Sequence, residues 1–367
     1  MSLPLVEIGQ CCEVVNGSTP SRSKPEYWGG DIDWFTPKDL SGLETKYVYG
    51  APEKITEEGY KSCSTKLIPI GSLLYTSRAP IGHLAINKKE VCTNQGFKTL
   101  IPKENVNVEF LYYVLKKYTP NLKDLGNGAT FKELSKSIIS SFKIPLPPLE
   151  TQKKIAAILD AADSYKQKTK ALIEKYDQLT QSLFLDMFGD PVTNPKGWEV
   201  FEFSNVMEIR NGKNQKAVEN EKGKYPIYGS GGIMSYADDY ISEANSVIIG
   251  RKGNINKPIL VKEKYWHVDT AFGLNPIISK LTHDYLFWFC VRYNFEQHNK
   301  TVTIPSLTKE TLLRIKIPTP PIELQNQFAE RVQAIEAQKA LAQKSLKKSE
   351  ELFNSLLQKA FKGELVS

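Results

Sequence analysis

Four histidines (His83, His267, His283, His298) and five cysteines (Cys11, Cys12, Cys63, Cys92, Cys290) are the side chains best suited to nucleophilic, general-base or metal chemistry. Their spacing offers little of it. No histidine pairs recognisably with a serine or cysteine nucleophile, so the four read as structural or surface groups. The cysteines are an odd, scattered set without C-x-x-C spacing, which argues against a zinc site and against a disulfide framework. Gly229-Ser-Gly-Gly232 lacks the spacing and the following helix of a dinucleotide loop, and no P-loop lysine motif is present. No carboxylate and lysine cluster stands out from ordinary surface charge. The expectation is a chain with no catalytic residue, no metal and no cofactor of its own. Trp28, Trp34, Trp198, Trp266 and Trp288 read as core anchors rather than stacking platforms.

Charge points to binding instead. The 48 Lys+Arg against 41 Asp+Glu give +7 and a pI near 8.9, a balance that suits a polyanionic partner without requiring one. With 367 residues the chain exceeds what one core organises, and 41% hydrophobic residues suffice to fill two or more domains. No run of about 18 apolar residues occurs. Met1 to Gln10 lacks a basic segment followed by an apolar one. A cytoplasmic protein without membrane contact is therefore expected.

The elements that would position any binding residues come in two copies. Ile144-Pro-Leu-Pro-Pro-Leu-Glu150 returns as Ile317-Pro-Thr-Pro-Pro-Ile-Glu323, an offset of 323 − 150 = 173, and each Glu is followed two residues later by Gln152 or Gln325. At the same offset Thr130-Phe-Lys-Glu-Leu-Ser-Lys136 faces Thr303-Ile-Pro-Ser-Leu-Thr-Lys309, and Tyr75-Thr-Ser-Arg78 faces Ile248-Ile-Gly-Arg251. Farther upstream Val15-Asn16-Gly17 resembles Arg210-Asn211-Gly212 at an offset of 195, so the copies differ by insertions in their first portions. Matching joints with diverging variable parts fit one fold presenting two different surfaces. Residues 1–147 and 190–319 are rich in Gly, Pro, Tyr and Trp. Short apolar runs (Leu67-Ile-Pro-Ile70, Ser72-Leu-Leu-Tyr-Thr76, Ser246-Val-Ile-Ile-Gly250, Pro258-Ile-Leu-Val261) and one short helix each (Val108 to Tyr118, Tyr285 to Tyr293) predict two strand-rich mixed α/β domains.

Between and after them, residues 148–189 and 320–367 predict long helices. Residues 149–188 contain no proline or glycine, and Ile155, Ile158, Ala162, Tyr165, Thr169, Leu172, Tyr176, Leu179 and Leu183 recur in steps of three and four. The second copy places Phe328, Val332, Ile335, Lys339, Ala342, Leu346, Ser349, Phe353, Leu356 and Ala360 on a similar seam. A helix of about 40 residues is roughly 60 Å long at 1.5 Å per residue, and a one-sided stripe of that length needs a partner. An antiparallel coiled coil of the two helices is expected, and homo-oligomerisation through the same stripes is the other arrangement the pattern allows. The groups Leu183-Phe-Leu185, Leu352-Phe353 and Leu356-Leu357 exceed the needs of a two-helix seam.

This pattern resembles the specificity subunits of type I restriction-modification systems. The resemblance rests on the duplicated Pro-Pro-x-Glu-x-Gln joints, Phe188-Gly-Asp-Pro191 with Asn194-Pro-Lys-Gly-Trp198, and Lys359-Ala-Phe-Lys-Gly-Glu-Leu365. In the first domain it adds Asn16-Gly-Ser-Thr-Pro20, Tyr27-Trp-Gly-Gly-Asp-Ile-Asp-Trp34 and Pro37-Lys-Asp-Leu40. It implies two target recognition domains, each reading one half of a gapped site in double-stranded DNA, with the family's two conserved helices setting the gap. It also implies two modification subunits that carry S-adenosylmethionine and methylate adenine, and restriction subunits that use ATP and magnesium. The chain itself lacks the Asn/Asp-Pro-Pro-aromatic corner of an adenine methyltransferase, since Asn194-Pro-Lys-Gly197 has the wrong third and fourth residues. The second domain departs from the first, with Asn211-Gly-Lys-Asn-Gln-Lys216 in place of the Thr-Pro and Tyr-Trp elements. A protein–protein scaffold on a coiled coil is the alternative, and it predicts no salt-sensitive DNA binding.

If the chain reads DNA, Lys and Arg neutralise phosphates, and a few of Arg, Lys, Asn or Gln reach base edges. The candidates in the first domain are Ser18, Thr19, Arg22, Lys24, Lys38 and Arg78. Those in the second are Lys213, Asn214, Lys216, Arg251, Lys252 and Lys257. Arg78 and Arg251 each follow an apolar strand-like run, where a loop would project.

Overall fold

The computed structural model describes residues 3–126, 132–299 and 306–366, so Thr130, Phe131 and Thr303 to Pro305 of the duplicated motif lie outside the described residues. The chain forms two units, Met1–Lys170 with Lys344–Ser367, and Ala171–Gln343.

In the first unit β1 (Leu5–Glu7) and α1 (Ile8–Cys11) lead into β2 (Cys12–Asn16) and β3 (Trp28–Phe35). The strands β4 (Tyr47–Val48) and β5 (Lys54–Ile55), helix α2 (Glu57–Lys61), then β6 (Leu73–Tyr75), β7 (Leu84–Asn87), β8 (Cys92–Thr93) and β9 (Lys98–Pro102) follow. After them come α3 (Val108–Leu125), α4 (Lys136–Ser141), β10 (Lys143–Pro145) and the long helix α5 (Leu149–Phe188). The order β2-β9-β6-β7-β4 makes one sheet and β5-β3-β8 another, while β1 pairs antiparallel with β10. The run at Leu67 to Ile70, expected as a strand, supplies only one bridge, Ile68 to Val91. Helices α3 and α4 each start on a side-chain cap: Asn107 accepts from the Phe110 N–H and Ser135 from the Ile138 N–H. The buried face of α3 (Phe110, Leu111, Val114) packs with Val14, Leu73 and Leu100 of the sheet.

The second unit repeats the plan with β11 (Val200–Glu202), α6 (Phe203–Val206), β12 (Met207–Asn211), β13 (Tyr225–Gly229) and β14 (Gly232–Ala237). Then come β15 (Ser246–Gly250), β16 (Ile259–Val261), β17 (Trp266–His267), β18 (Ala271–Pro276), α7 (His283–Arg292), α8 (Lys309–Leu313), β19 (Lys316–Pro318) and α9 (Ile322–Lys362). Its sheets run β12-β18-β15-β16 and β14-β13-β17, with β11 against β19.

The repeated joint has the same construction twice. Gln152 is buried, and its Oε1 accepts from the Asn107 N–H at 2.9 Å while Nε2 donates to Pro147 O at 2.8 Å and Asn105 O at 3.0 Å. Gln325 does the same with the Thr282 N–H (2.8 Å), Pro320 O (2.8 Å) and Lys280 O (3.0 Å). One glutamine thus ties the start of a long helix to the N-cap of the domain helix (α3 or α7), which explains why this residue recurs.

Both long helices contribute to both units. In the first unit the early part of α5 meets the late part of α9: Tyr165 Oη lies 3.0 Å from Ser345 Oγ, Lys166 covers the Phe353 ring, and Ile155 and Leu159 share a core with Phe353, Leu357 and Phe361. In the second unit the late part of α5 meets the early part of α9, with Phe184 and Phe188 against Phe328 and an ion pair of Lys339 with Asp177. The pairing is antiparallel in each. On α9 Phe328, Val332, Ala342 and Phe353 are buried, and Ile335, Leu346 and Leu356 half-buried.

On α5 the seam needs correction. Ile155 is buried and Ala162, Tyr176 and Leu183 half-buried, but Ile158, Tyr165, Leu172 and Leu179 are 36%, 56%, 42% and 49% exposed. Thr169, which the expected seam included, is buried, and the rest of the buried line runs through Leu159, Thr180 and Phe184. The two threonines are tolerated there because each Oγ1 donates to the carbonyl four residues back, Tyr165 O at 2.9 Å and Tyr176 O at 3.1 Å, which satisfies the hydroxyl within its own helix. Among the described residues no helix is long and apolar enough to cross a membrane.

Candidate nucleic-acid interface

In the first unit β2 and β6 run antiparallel to β9 between them, so β2 and β6 end where β9 begins. The parallel strands β3 and β8 join this end through backbone bonds of Ser18 N to Thr93 O, Asn94 N to Phe35 O and Ser77 N to Gly96 O. The far end of β9 leads to Asn105 and the Gln152 joint. The loops after β2, β3, β6 and β8 therefore gather at the end of the domain remote from the joint, and this cluster is the candidate interface.

Ser18 and Thr19 lie in it, Thr19 Oγ1 donating to Gln95 Oε1. Lys38 is exposed on the turn Pro37–Leu40, closed by Asp39 against Thr36. Arg78 leaves β6 half-exposed, with Nη1 3.6 Å from Glu133 Oε2. Arg22 and Lys24 follow on the same loop after β2. Arg22 is held in a two-pronged ion pair by Glu53 (Nη2 to Oε2 2.8 Å) with its guanidinium 3.7 Å from the Trp28 ring centre, and Lys24 bonds Tyr27 Oη at 3.0 Å. Arg22 is thus committed to its own domain.

The second unit builds the same cluster from the loops after β12, β13, β15 and β17. Lys213 is exposed, its N–H donating to His267 O and its carbonyl accepting from Trp266 Nε1. Asn214 Oδ1 accepts from the Lys216 N–H, turning that loop. Arg251 and Lys252 both reach Thr270 O through their backbone N–H groups, and Lys257 is exposed farther along the loop. Among the described residues Arg251 has no ion pair; its guanidinium lies 5.8 Å from the Phe272 ring centre.

The two arginines are not structural equivalents. Val14 faces Leu100 across β2 and β9, and Ile209 faces Leu274 across β12 and β18, an offset of 274 − 100 = 174. Ser77 N donates to Gly96 O just as Arg251 N donates to Thr270 O, again 251 − 77 = 174. Only later does 173 hold: Leu134 N donates to Ser77 O, and Leu307 N to Arg251 O. Arg251 therefore occupies the place of Ser77, and Arg78 corresponds to Lys252. The register shifts between β9 and the residue pair Leu134 and Leu307, outside the ungapped motifs that the sequence comparison used.

Sequence reasoning also missed Lys98, Gln95 and Glu133. Lys98 Nζ is buried 3.5 Å from Glu133 Oε1 and 3.4 Å from Ser77 Oγ; burial pushes its pKa down and the Glu133 carboxylate opposes that. A signal was present, since Glu133 faces the uncharged Ser306 in the repeat.

His267 is buried under the second cluster, with Nε2 3.2 Å from Arg210 O and no partner for Nδ1. Burial, aided by the nearby Arg210 charge, pushes its pKa down to about 4 from 6.5. The unfolded chain takes up a proton that the folded unit refuses, so this group's contribution is fully present above pH 6.5, declines as pH falls toward 4 and then levels off. The loss is on the order of 3 kcal/mol. Denaturant titrations between pH 7.5 and 4 are expected to show this slope in the wild type and a shallower one in His267→Gln; equal slopes would contradict it. Elsewhere His283 Nε2 meets Asp284 and His298 Nε2 meets Tyr293 Oη. Among the described residues no group of three or more His, Cys, Asp or Glu is placed to hold a metal.

Two copies of one loop cluster on a shared helical pair match a known family. Residues 5–175 and 195–351 fit the type I restriction modification DNA specificity domain. The chain belongs to this family. It is 32% identical over 393 residues to the type I restriction enzyme MjaIX specificity subunit of Methanocaldococcus jannaschii, covering 96% of this chain and 91% of that one. The EcoprrI specificity subunit of Escherichia coli is 24% identical, over 84% and 82% of the two chains. Among solved structures, the S subunit of a type I restriction-modification system from M. genitalium has a TM-score of 0.62 at 16% identity, covering 98% of this chain and 96% of its own. A chain from a study of complex assembly and conformational transition in a type I R-M system has a TM-score of 0.64 at 20% identity, covering 100% of both. These structural likenesses establish the shared mixed α/β fold.

Proposed function

We propose that this chain is the non-catalytic specificity subunit of a type I restriction-modification complex. Each unit reads one half of a two-part, gapped site in double-stranded DNA. The chemistry belongs to partners: two modification subunits that use S-adenosylmethionine to methylate adenine, and restriction subunits that use ATP and magnesium. A cytoplasmic location accords with this reading. The observation that carries it is the duplicated loop cluster, which keeps one backbone plan in both units while its exposed side chains differ. Lys38 and Arg78 in the first copy, and Lys213, Lys216, Arg251, Lys252 and Lys257 in the second, supply the cations that phosphates and guanine edges require.

The test is co-expression with the modification subunit encoded beside this chain, in a host without adenine methylation, followed by sequencing of the modified adenines. A gapped two-part motif that vanishes when this chain is omitted is the expected result. A modification subunit that works identically alone would favour a scaffold. Within the same assay Arg251→Ala is expected to relax one position of one half-site, by about 1–3 kcal/mol in binding. Uniform weakening across sequences would mark Arg251 as a phosphate contact instead.

A further inference from the structure

The first unit carries a charged group that its twin lacks, at the same place in the fold. Glu133 is 41% exposed at the side chain, with Arg78 Nη1 3.6 Å from one carboxylate oxygen and Lys98 Nζ 3.5 Å from the other. The Lys98 side chain is only 8% exposed. Both separations are ion-pair contacts at or beyond the outer limit of a hydrogen bond, so the carboxylate is oriented while keeping acceptor capacity toward solvent. A carboxylate facing DNA is ordinarily repelled by phosphates, but here two cations and one anion leave the cluster net positive. In the second unit Ser306 stands in place of Glu133, Phe272 in place of Lys98, and Arg251 in place of Ser77. The same loop region thus presents a carboxylate acceptor in the first unit, at Glu133, and a cationic donor in the second, at the neighbouring position Arg251.

We propose that Glu133 is a specificity-determining residue, its carboxylate accepting a hydrogen bond from the exocyclic N4 amino group of a cytosine in the half-site that the first unit reads. This rests on the DNA-reading assignment above. Cytosine offers only a donor in the major groove, which a pure acceptor can match. Adenine sets the N7 acceptor beside its amino group, where a carboxylate oxygen would be repelled, and guanine and thymine offer acceptors alone for hydrogen bonding. Arg78 and Lys98 act as positioning residues that hold the carboxylate. If Glu133 served only to neutralise Lys98, nothing would require it to stand at the surface.

The experiment is the methylation map of the co-expressed complex for wild type, Glu133→Gln and Glu133→Asp, with the untouched half-site as internal control of folding and assembly. The wild type is expected to give a two-part motif with a C·G pair in one half. Glu133→Gln should lose about tenfold or more of the preference at that pair alone, and Glu133→Asp, which keeps the charge but withdraws it by one methylene, should weaken the same pair. An unchanged motif in both variants, with a lowered melting temperature, would overturn the proposal and leave a salt bridge. Loss spread evenly over all positions of that half-site would overturn it in favour of phosphate repulsion. A wild-type chain that confers no two-part motif would sink the DNA-reading assignment itself, and this one with it.

Discussion

Gly212→Ala is expected to cost the second unit about 3–5 kcal/mol, near the top of the range for a single substitution. A Cβ at Gly212 would lie 1.8 Å from Val268 O and 2.4 Å from its carbonyl carbon, and neither atom can yield, because both belong to backbone. Val268 N donates to Tyr228 O and the neighbouring His267 O holds the Lys213 N–H, so moving this segment would break the base of the whole loop cluster. The first unit has the same constraint at Gly17, where a Cβ would lie 2.0 Å from Asn94 O. Binding to oligonucleotides altered in one half-site or the other checks the expectation. Gly212→Ala should abolish discrimination at the second unit's half-site, and Gly17→Ala at the other. Retention of full discrimination in either variant would show that the strands can separate after all.

The second large effect lies at the joint. Gln325→Ala removes three hydrogen bonds from a fully buried side chain and strands the Thr282 N–H and the Lys280 and Pro320 carbonyls. At about 1–3 kcal/mol for each unsatisfied group, tempered by relaxation, a loss of about 3–5 kcal/mol follows. Gln325→Glu is expected to be at least as damaging although it is isosteric, since a carboxylate oxygen would then face the two carbonyls that Nε2 now satisfies. Chemical denaturation of the purified chain reads both. A glutamate variant as stable as wild type would show that the amide donor is dispensable. Gln152, with its bonds to Asn107, Asn105 and Pro147, should behave alike in the first unit.

These sites show which parts of the molecule were legible in the sequence. The Pro-Pro-x-Glu-x-Gln repeat and the Asn-Gly pairs announced themselves because both solve a backbone problem, a buried N-cap and a close strand approach, that few other residues solve. The α9 seam was readable because its buried positions are mostly apolar. On α5 the expected seam caught Thr169 but strayed to Leu179 where Thr180 is buried, because Thr180 hides its polarity in a bond to its own helix, and no hydropathy pattern displays that. Arg22 looked like a free cation because its partner Glu53 is 31 residues away. Arg78 and Arg251 looked equivalent because an ungapped comparison cannot see the register shift that the strand pairings reveal. The contacts of Lys98 with Glu133 depend on tertiary proximity, and one of the repeat's several mismatches, Glu133 against Ser306, hinted at them.

The first unit is not continuous in the chain, since its core includes Phe353, Leu357, Ala360 and Phe361 from the end of α9, with Phe110 and Phe361 in edge contact. During synthesis residues 1–170 must therefore wait for residues 344–361 to be made. The nascent recognition unit would present Phe110 and Tyr113 to solvent while the whole second unit is translated, so a chaperone's window on this protein opens early and closes only once Phe361 has emerged. A nonsense codon at or shortly before Phe353 would, on the same logic, disable a half-site reader whose other residues are encoded far upstream.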